Sequence, residues 1–568
     1  MIGRALAPAA CLGPSQANPL DNPGRPLPFV TRAQGDAGPK ASKGDRNPTP
    51  MSLNLIDFFD TGVEAGPDRP CLVSAEETRT YGEVQRTSFR IANALIAAGL
   101  RREARVAVLS HNAVRPFECV LGALRAGCTW VPVNARSTAD EIVYVLNRTD
   151  TGALFYSSAF AAKAPEILAR CPGIALAICI DGPDDSDRPS LAAWIAGAPD
   201  ARPDVRIPPE AIATLPCTGG TTGSPKAVMV DHRTWAYRII EMAARKPPGP
   251  LVHLIAAPMT HGAGAAALEL MVLGATHVIL PGFEPQAVLD AIRRHGVTDL
   301  FLPPTALYRL LAHPGVREAP TPTLRTLACS AAPVAPERLR EAVEVFGPVV
   351  QVAYAGTEFG TSTCWFPAGD LAEAAQRGDG KRLRSCGRPS RFAQVEILSD
   401  DGAVLGPDQP GEIAIRSYSL ASGYYGDAEE TARAFRDGWY LTGDIGFKDA
   451  EGWLYISDRK KDVIISGGFN VYPSDIEAVL LTQPAVQDCA VVGAPDEEWG
   501  ERITAVIELK PGMSVDAATL EAACRATLAG YKTPRAFEFW PELPRSPVGK
   551  VLKRAIRDRF WQGLGRAI

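Results

Sequence analysis

The chain has no apolar run approaching the ~20 residues that a helix needs to span a bilayer, which argues against an integral membrane segment. It also lacks a dominant charge. Lys and Arg number 59 against 64 Asp and Glu, a formal net charge of −5. That balance gives no general electrostatic reason to bind nucleic acid or an anionic membrane. Histidines are few, seven in all, and none forms an H-E-x-x-H cluster, so a histidine-based metal centre is not expected. The 12 cysteines include no C-x-x-C pair, and Cys119, Cys128, Cys179 and Cys329 sit in apolar segments. They read as reduced core thiols of a cytoplasmic protein and not as disulfides or a zinc site.

What is present is an ordinary globular composition, 46% hydrophobic and 22% charged over 568 residues. That length suggests about three to four domains or subdomains. Residues 1–50 are rich in Pro, Gly and Ala without periodicity, and disorder is expected there. The stretch from Ala5 to Cys11, broken by Pro8, is too short for a signal-peptide core. Met51 opens the first amphipathic segment, with Leu53, Leu55, Ile56, Phe58 and Phe59, and is a candidate true start of translation.

Beyond it, short apolar runs alternate with helical spacing. Strands are expected at 105–109 and at 127–131, the latter ending at Pro132, with helices over 88–100 and 117–126. The alternation returns with strands at 254–257 and 298–302 and helices at 285–294 and 336–345. Strands alternating with helices imply parallel β-α-β units, hence two successive α/β blocks. After Pro389, runs at 394–398, 411–416 and 452–456 separated by Gly, Asp and Pro read as a β-rich subdomain. The charged run Asp458-Arg459-Lys460-Lys461-Asp462 then separates it from a small piece with its own alternation. The expected fold is therefore α/β. Residues 51–458 form a large body of two α/β subdomains plus a β-rich one, and residues 459–568 form a small, mobile α+β domain.

One loop stands out: Cys217-Thr218-Gly219-Gly220-Thr221-Thr222-Gly223-Ser224-Pro225-Lys226, following the apolar run 211–215. Glycines let backbone N–H groups crowd an anion, threonine hydroxyls add donors and Lys226 adds charge. A triphosphate is the natural guest. The loop is not a Walker A sequence, because Ser224-Pro225 separate Gly223 from Lys226.

Downstream come Tyr354-Ala355-Gly356-Thr357-Glu358, then Tyr440-Leu441-Thr442-Gly443-Asp444, Asp458 to Asp462, and Pro544-Arg545-Ser546-Pro547-Val548-Gly549-Lys550. With the loop, in this order, they resemble the adenylate-forming superfamily of acyl-CoA synthetases, carrier-protein adenylation domains and luciferases. The resemblance runs from about Thr80-Tyr81 to the C-terminus. It implies that ATP activates a carboxylic acid to an acyl-adenylate with Mg2+. Thr218, Gly219, Gly220, Thr221, Thr222, Gly223 and Lys226 would then cradle the β- and γ-phosphates, and Thr357 would reach the α-phosphate. Glu358, with Thr218, would hold Mg2+, a hard cation that prefers oxygen. Ser330, Ala331 and Ala332 would pack on adenine beside Tyr354, and Asp444 would accept the ribose hydroxyls with help from Arg459. Lys550 would bring a point charge between carboxylate and α-phosphate. Gly219 and Ala227 depart from the family's more usual serine and glycine, and Ala355-Gly356 from its usual order. All keep small residues in place.

The same resemblance implies a thiol acceptor. The segment Ser466-Gly467-Gly468-Phe469-Asn470 resembles the pantetheine tunnel, with a plain glycine turn as the competing reading. Lys461 matches the hinge about which the small domain would turn. The acyl pocket would lie near His261, Gly262, Cys329 and Phe359, with a core histidine as the other reading of His261. No aspartate adjoins His261 to pair with an ammonium, which argues against an amino-acid substrate. Neighbouring alanines and glycines leave room for more than acetate. Aliphatic, alicyclic and aromatic acids stay open, and so do CoA and a separate carrier protein as acceptor. A non-catalytic nucleotide-binding relic is the remote alternative.

Overall fold

The computed structural model describes residues 54–182, 188–218, 225–545 and 551–562. The expected disorder of residues 1–50 lies outside them. The first helix, Leu55–Glu64, is capped by the Asn54 side chain, which accepts from the Asp57 amide. It buries Leu55, Ile56, Phe58 and Phe59, the apolar face legible in the sequence.

The first α/β block is a sheet whose strands Thr129–Val133, Arg105–Leu109, Ala153–Tyr156 and Leu176–Cys179 run parallel in space. Helices Val114–Arg125, Ala139–Arg148 and Ala164–Ala169 make the crossovers. On the other flank it adds Ile212–Thr214 and Lys226–Asp231, and then Gly423–Tyr424 from far down the chain. The strand at 129–133 runs through Pro132 instead of ending there. Pro132 aligns with Val108, and pairing on its other flank is limited to Trp130↔Thr214, so no ladder on that side needs the missing N–H. The second helix begins at Tyr81 and ends at Ala97, seven residues ahead of the expected 88 start. Its start is set by a reciprocal box in which Thr80 Oγ1 accepts from the Glu83 amide and Glu83 Oε2 from the Thr80 amide.

The second block is a nine-stranded sheet. Its parallel centre holds Thr276–Ile279, Val252–Ile255, Asp299–Leu302, Thr326–Cys329 and Val350–Gly356. Helices Gly262–Leu270, Pro285–His295, Pro304–Leu311 and Pro336–Phe346 connect them. The strand Gly360–Phe366 then turns back antiparallel on Val350–Gly356. The β-rich part is an antiparallel sheet of Ala393–Leu398, Gly411–Ser417, Trp439–Lys448, Phe435–Arg436 and Leu454–Arg459. One buried cluster joins Phe117 of the first block's helix Val114–Arg125 and Val228 of its sheet to Tyr354, Phe359, Ile413 and Tyr440. The three parts thus share a core.

The strand Leu454–Arg459 passes through a single 3-10 turn, Lys460–Asp462, into Ile464–Ser466 and the last sheet. There Gly500–Leu509 pairs with Val486–Asp496 on one side and Ala536–Trp540 on the other. Alternation along Val486–Asp496 sends Val491 to one face, with Ile476 and Leu520, and Val492 to the opposite face, with Ile556. Asp458 receives the Ser474 amide at 2.8 Å, and Lys553 Nζ lies 3.9 Å away. No helix among the described residues is long and apolar enough to cross a membrane.

Candidate active site

In sheets with parallel strands, ligands lie in the crevice beyond the strands' carboxyl ends. Thr326–Cys329 and Val350–Gly356 are neighbouring parallel strands, and they deliver Ser330-Ala331-Ala332 and Thr357-Glu358 to the same edge. Ser330 is buried and donates from Oγ to the Ala353 carbonyl at 2.8 Å. Ala331 follows with φ of +79°, a left-handed conformation that costs an alanine ~1–2 kcal/mol. Ala331 and Ala332 are exposed. A strained, small, outward-facing turn pinned by a buried serine is a surface on which a flat group can lie.

Beside it sits a buried cluster. Asp444, on Trp439–Lys448, accepts the Tyr354 hydroxyl at 2.5 Å on one oxygen and Arg459 Nε at 2.7 Å on the other. Arg459 aligns with Asp444 across the antiparallel strand pair. Gly443, with φ of +70°, makes the bend before Asp444, where the glycine's freedom is needed. Burial, and next the Asp444 charge, push the Tyr354 phenol well above its ordinary pKa, so it remains a donor. The Tyr354 ring packs on Phe359 at 5.0 Å, and Phe359 on Tyr440 at 5.8 Å.

Glu358 is half-buried and takes the Tyr424 hydroxyl on Oε1 at 3.2 Å. Burial raises its pKa, opposed by the Tyr424 bond and by the charges of Arg459 and Lys226. Lys226 Nζ pairs with Glu430 and lies 5.1 Å from the Tyr424 ring centroid. Its charge, expected to face phosphate, is thus partly balanced from within the protein. Thr218 pairs with Lys226 in register, and its hydroxyl donates to the Lys226 carbonyl at 3.4 Å. Gly219, Gly220, Thr221, Thr222, Gly223 and Lys550 lie outside the described residues.

Of the expected acyl-pocket residues, His261 is exposed at the start of helix Gly262–Leu270, so the core-histidine reading fails. A Cβ on Gly262 would stand 3.1 Å from the Phe301 ring, and one on Gly264 1.7 Å from the Met259 carbonyl. Cys329 is fully buried, and burial pushes its thiol up to about 12. The Phe359 ring is buried in the tyrosine cluster. Gly467 and Gly468, with φ of +58° and +82°, form the two-residue turn between Ile464–Ser466 and Phe469–Val471. Gly467 also packs on Trp499, whereas a Cβ on Gly468 would meet nothing within 4 Å. Lys461 Nζ is buried with no hydrogen-bond partner among the described residues. Desolvation, with Arg459, Arg557 and Arg554 close by, lowers its pKa to about 8 against the pull of Asp462.

Three residues at this site were not signalled by motif: Tyr424, Glu430 and Arg238. Arg238 lies in helix His232–Arg245, almost fully buried, and donates to the carbonyls of Thr357 and Ser419. Only the glycine and tyrosines of Gly423-Tyr424-Tyr425-Gly426 hinted at a special turn.

The chain thus pairs an α/β body, which gathers a carboxylate, a phenol and a guanidinium beyond its parallel strands, with a small separate sheet. The family model for AMP-binding enzymes matches residues 59–425, and that for the AMP-binding enzyme C-terminal domain matches 475–550. The chain belongs to the AMP-binding enzyme family, in the adenylate-forming superfamily. It is 32% identical to a fatty acid–[acyl-carrier-protein] ligase of Streptomyces coeruleorubidus, over 92% of this chain and 100% of that protein. It is 31% identical to a medium/long-chain-fatty-acid–CoA ligase of Mycobacterium tuberculosis, over 99% and 98% of the two chains. ATP-bound MatB from Rhodopseudomonas palustris superimposes with a TM-score of 0.81 at 28% identity, covering 91% of this chain and 100% of that one.

Proposed function

We propose that the protein is an AMP-forming acid–thiol ligase, an acyl-CoA synthetase of the cytoplasm. ATP and a carboxylic acid give an acyl-adenylate and pyrophosphate, and the acyl group then passes to the thiol of CoA with release of AMP. The observation that carries this reading is the meeting of Tyr354, Asp444 and Arg459 beside Glu358, in a chain whose relatives match it along nearly their whole length.

In this reading the Ser330–Ala332 turn and Tyr354 flank adenine, and Asp444, oriented by Tyr354 and Arg459, takes the ribose hydroxyls. Thr218 to Gly223 with Lys226 surround the β- and γ-phosphates, and Thr357 reaches the α-phosphate. Glu358 has the oxygen chemistry that suits a hard cation, and its partly buried carboxylate with one Tyr424 bond fits Mg2+, with Thr218 as a further ligand. When bound, Mg2+ would neutralise phosphate charge. Lys550 stabilises charge as the carboxylate attacks the α-phosphorus, then leaves as residues 459–568 turn about Lys461. The Gly467-Gly468 turn then admits the pantetheine thiol. His261, Gly262, Cys329 and Phe359 border the acyl group.

A second reading keeps the same first half-reaction but loads a pantetheinylated carrier protein. The relative from Streptomyces coeruleorubidus favours it. ATP–pyrophosphate exchange across a panel of aliphatic, alicyclic and aromatic acids tests the function, and silence over the whole panel would refute it. The acceptor follows from incubating the best radiolabelled acid with CoA or with a holo-carrier protein.

A further inference from the structure

Three segments far apart in sequence converge on one buried guanidinium. Arg238 Nη2 donates to the Thr357 carbonyl at 3.0 Å and to the Ser419 carbonyl at 2.9 Å, and its Nε donates to Ser419 at 3.2 Å. The side chain comes from the middle of helix His232–Arg245, which holds to the first sheet through its N-cap Asp231 and to the Ser422 hydroxyl through the same carboxylate. The adjoining bond, Ala421 N–H to the Glu358 carbonyl at 2.7 Å, ties the two carbonyl-bearing segments directly. The turn carrying Thr357 and Glu358 is therefore held at successive carbonyls, one by Arg238 and one by Ala421.

The arrangement is built for a fork. A lysine places its three donors on one freely rotating nitrogen, whereas the planar guanidinium puts Nε and Nη2 together on the Ser419 carbonyl and so fixes the direction in which Nη2 meets Thr357. Gly360, with φ of +90°, makes room for it: a Cβ there would stand 3.1 Å from Arg238 Nε. The charge is countered at a distance by Glu269, which is itself buried and receives the Thr361 hydroxyl at 2.7 Å, as well as by Glu358, Asp231 and Glu241. Burial costs a charged group heavily unless bonds and counter-charges replace water, and Arg238 has both. The same Ser419–Tyr424 segment supplies the Tyr424 hydroxyl that holds Glu358 Oε1. Both ends of Glu358, main chain and carboxylate, are thus referenced to segments that Arg238 aligns.

We propose that Arg238 is a positioning residue for adenylate formation: by bridging the Thr357 and Ser419 carbonyls it sets where Thr357 and the Glu358 carboxylate stand relative to the phosphates. This rests on the reading of Thr357 and Glu358 as the α-phosphate and Mg2+ contacts. The Mg2+ contact is needed only while pyrophosphate leaves, whereas the α-phosphate stays in the adenylate, so the bridge weighs chiefly on the first half-reaction.

The test uses the full-length protein and its best acid. Arg238→Lys is expected to slow ATP–pyrophosphate exchange by about 30-fold, the scale of losing charged hydrogen bonds, and to raise the Mg2+ concentration for half-maximal rate several-fold. Conversion of supplied acyl-adenylate to thioester, at saturating adenylate, should stay within about 2-fold of wild type. Gly360→Ala, which drives a methyl against Nε, should give the same split between half-reactions. Equal loss of both half-reactions in folded variants, an unchanged Mg2+ dependence, or failure of both variants to fold would each overturn the proposal and leave Arg238 structural. Wild-type protein that forms no adenylate would instead overturn the function itself.

Discussion

Replacing Asp444 by Asn separates the carboxylate's structural role from its proposed work on ribose. The substitution keeps size and one carbonyl oxygen but removes the charge that Arg459 Nε meets at 2.7 Å. The Arg459 side chain is half exposed, at 50%, and can turn to solvent, but Asp444 is 7% exposed, so loss of that pair should cost the fold about 1–3 kcal/mol. The Tyr354 hydroxyl can still donate to the amide oxygen. Two ribose hydroxyls, however, lose a charged acceptor. Hydrogen bonds to charged groups contribute ~1.5–3 kcal/mol against roughly 1 for neutral ones, so about 2–3 kcal/mol of ATP binding should go. At 1.4 kcal/mol per tenfold, that raises the KM for ATP about 30- to 150-fold. Since ribose does not react, kcat should fall far less. The assay is pyrophosphate exchange at varied ATP, with thermal unfolding without nucleotide as the control for folding. Repeating it with 2′-deoxy-ATP closes the cycle: wild type should lose much of its affinity for the deoxy analogue, and the Asn variant little more than it has already lost. A KM within about 3-fold of wild type, or a deoxy penalty undiminished in the variant, would refute the assignment.

Other outcomes follow from the small domain. Lys550→Ala should nearly abolish adenylate formation while leaving thioester formation from supplied acyl-adenylate largely intact; equal loss of both in a folded variant would sink the swinging-domain reading. Gly468→Ala meets nothing within 4 Å, so it should fold with only the ~1 kcal/mol left-handed cost and keep exchange activity, yet slow thiol transfer. Unimpaired transfer would favour a plain hairpin turn. Lys461, lowered from 10.5 to about 8, resists protonation in the folded chain. Its destabilising effect is therefore complete below pH 8 and fades as pH rises toward 10.5. The full shift is worth about 3 kcal/mol, and partial exposure reduces it to ~1–2 kcal/mol. Lys461→Met should therefore unfold at higher temperature than wild type at pH 7, with most of the gap gone by pH 10; a gap independent of pH would count against this.

The α/β blocks were legible because their strands are short apolar runs bounded by turn residues, and the strand at 105–109 appears with the bounds read from sequence. Where boundaries moved, a local or tertiary rule had won. The Thr80/Glu83 box pulled one helix forward, and pairing beyond Trp130 tolerated Pro132 within a strand. In the proposed site, Asp444 and Tyr354 were reachable only through the family resemblance of their glycine-bearing motifs, since an aspartate beside a glycine is otherwise an ordinary turn residue. Arg238 was not, since an arginine within an amphipathic helix carries no mark of which carbonyls it will meet. The balancing of Lys226 by Glu430 was equally hidden, the two being 204 residues apart.

That separation bears on how the protein is made. The Tyr354–Asp444 bond spans 90 positions and the Lys226–Glu430 pair more than twice that. A ribosome-bound chain can complete its first sheet's parallel centre early, but on the proposed reading it lacks its ribose acceptor until the strand bearing Asp444 has emerged. Nucleotide should therefore lend the growing chain little stability during most of synthesis, and truncated fragments ending before that strand should respond to ATP far more weakly than the full chain.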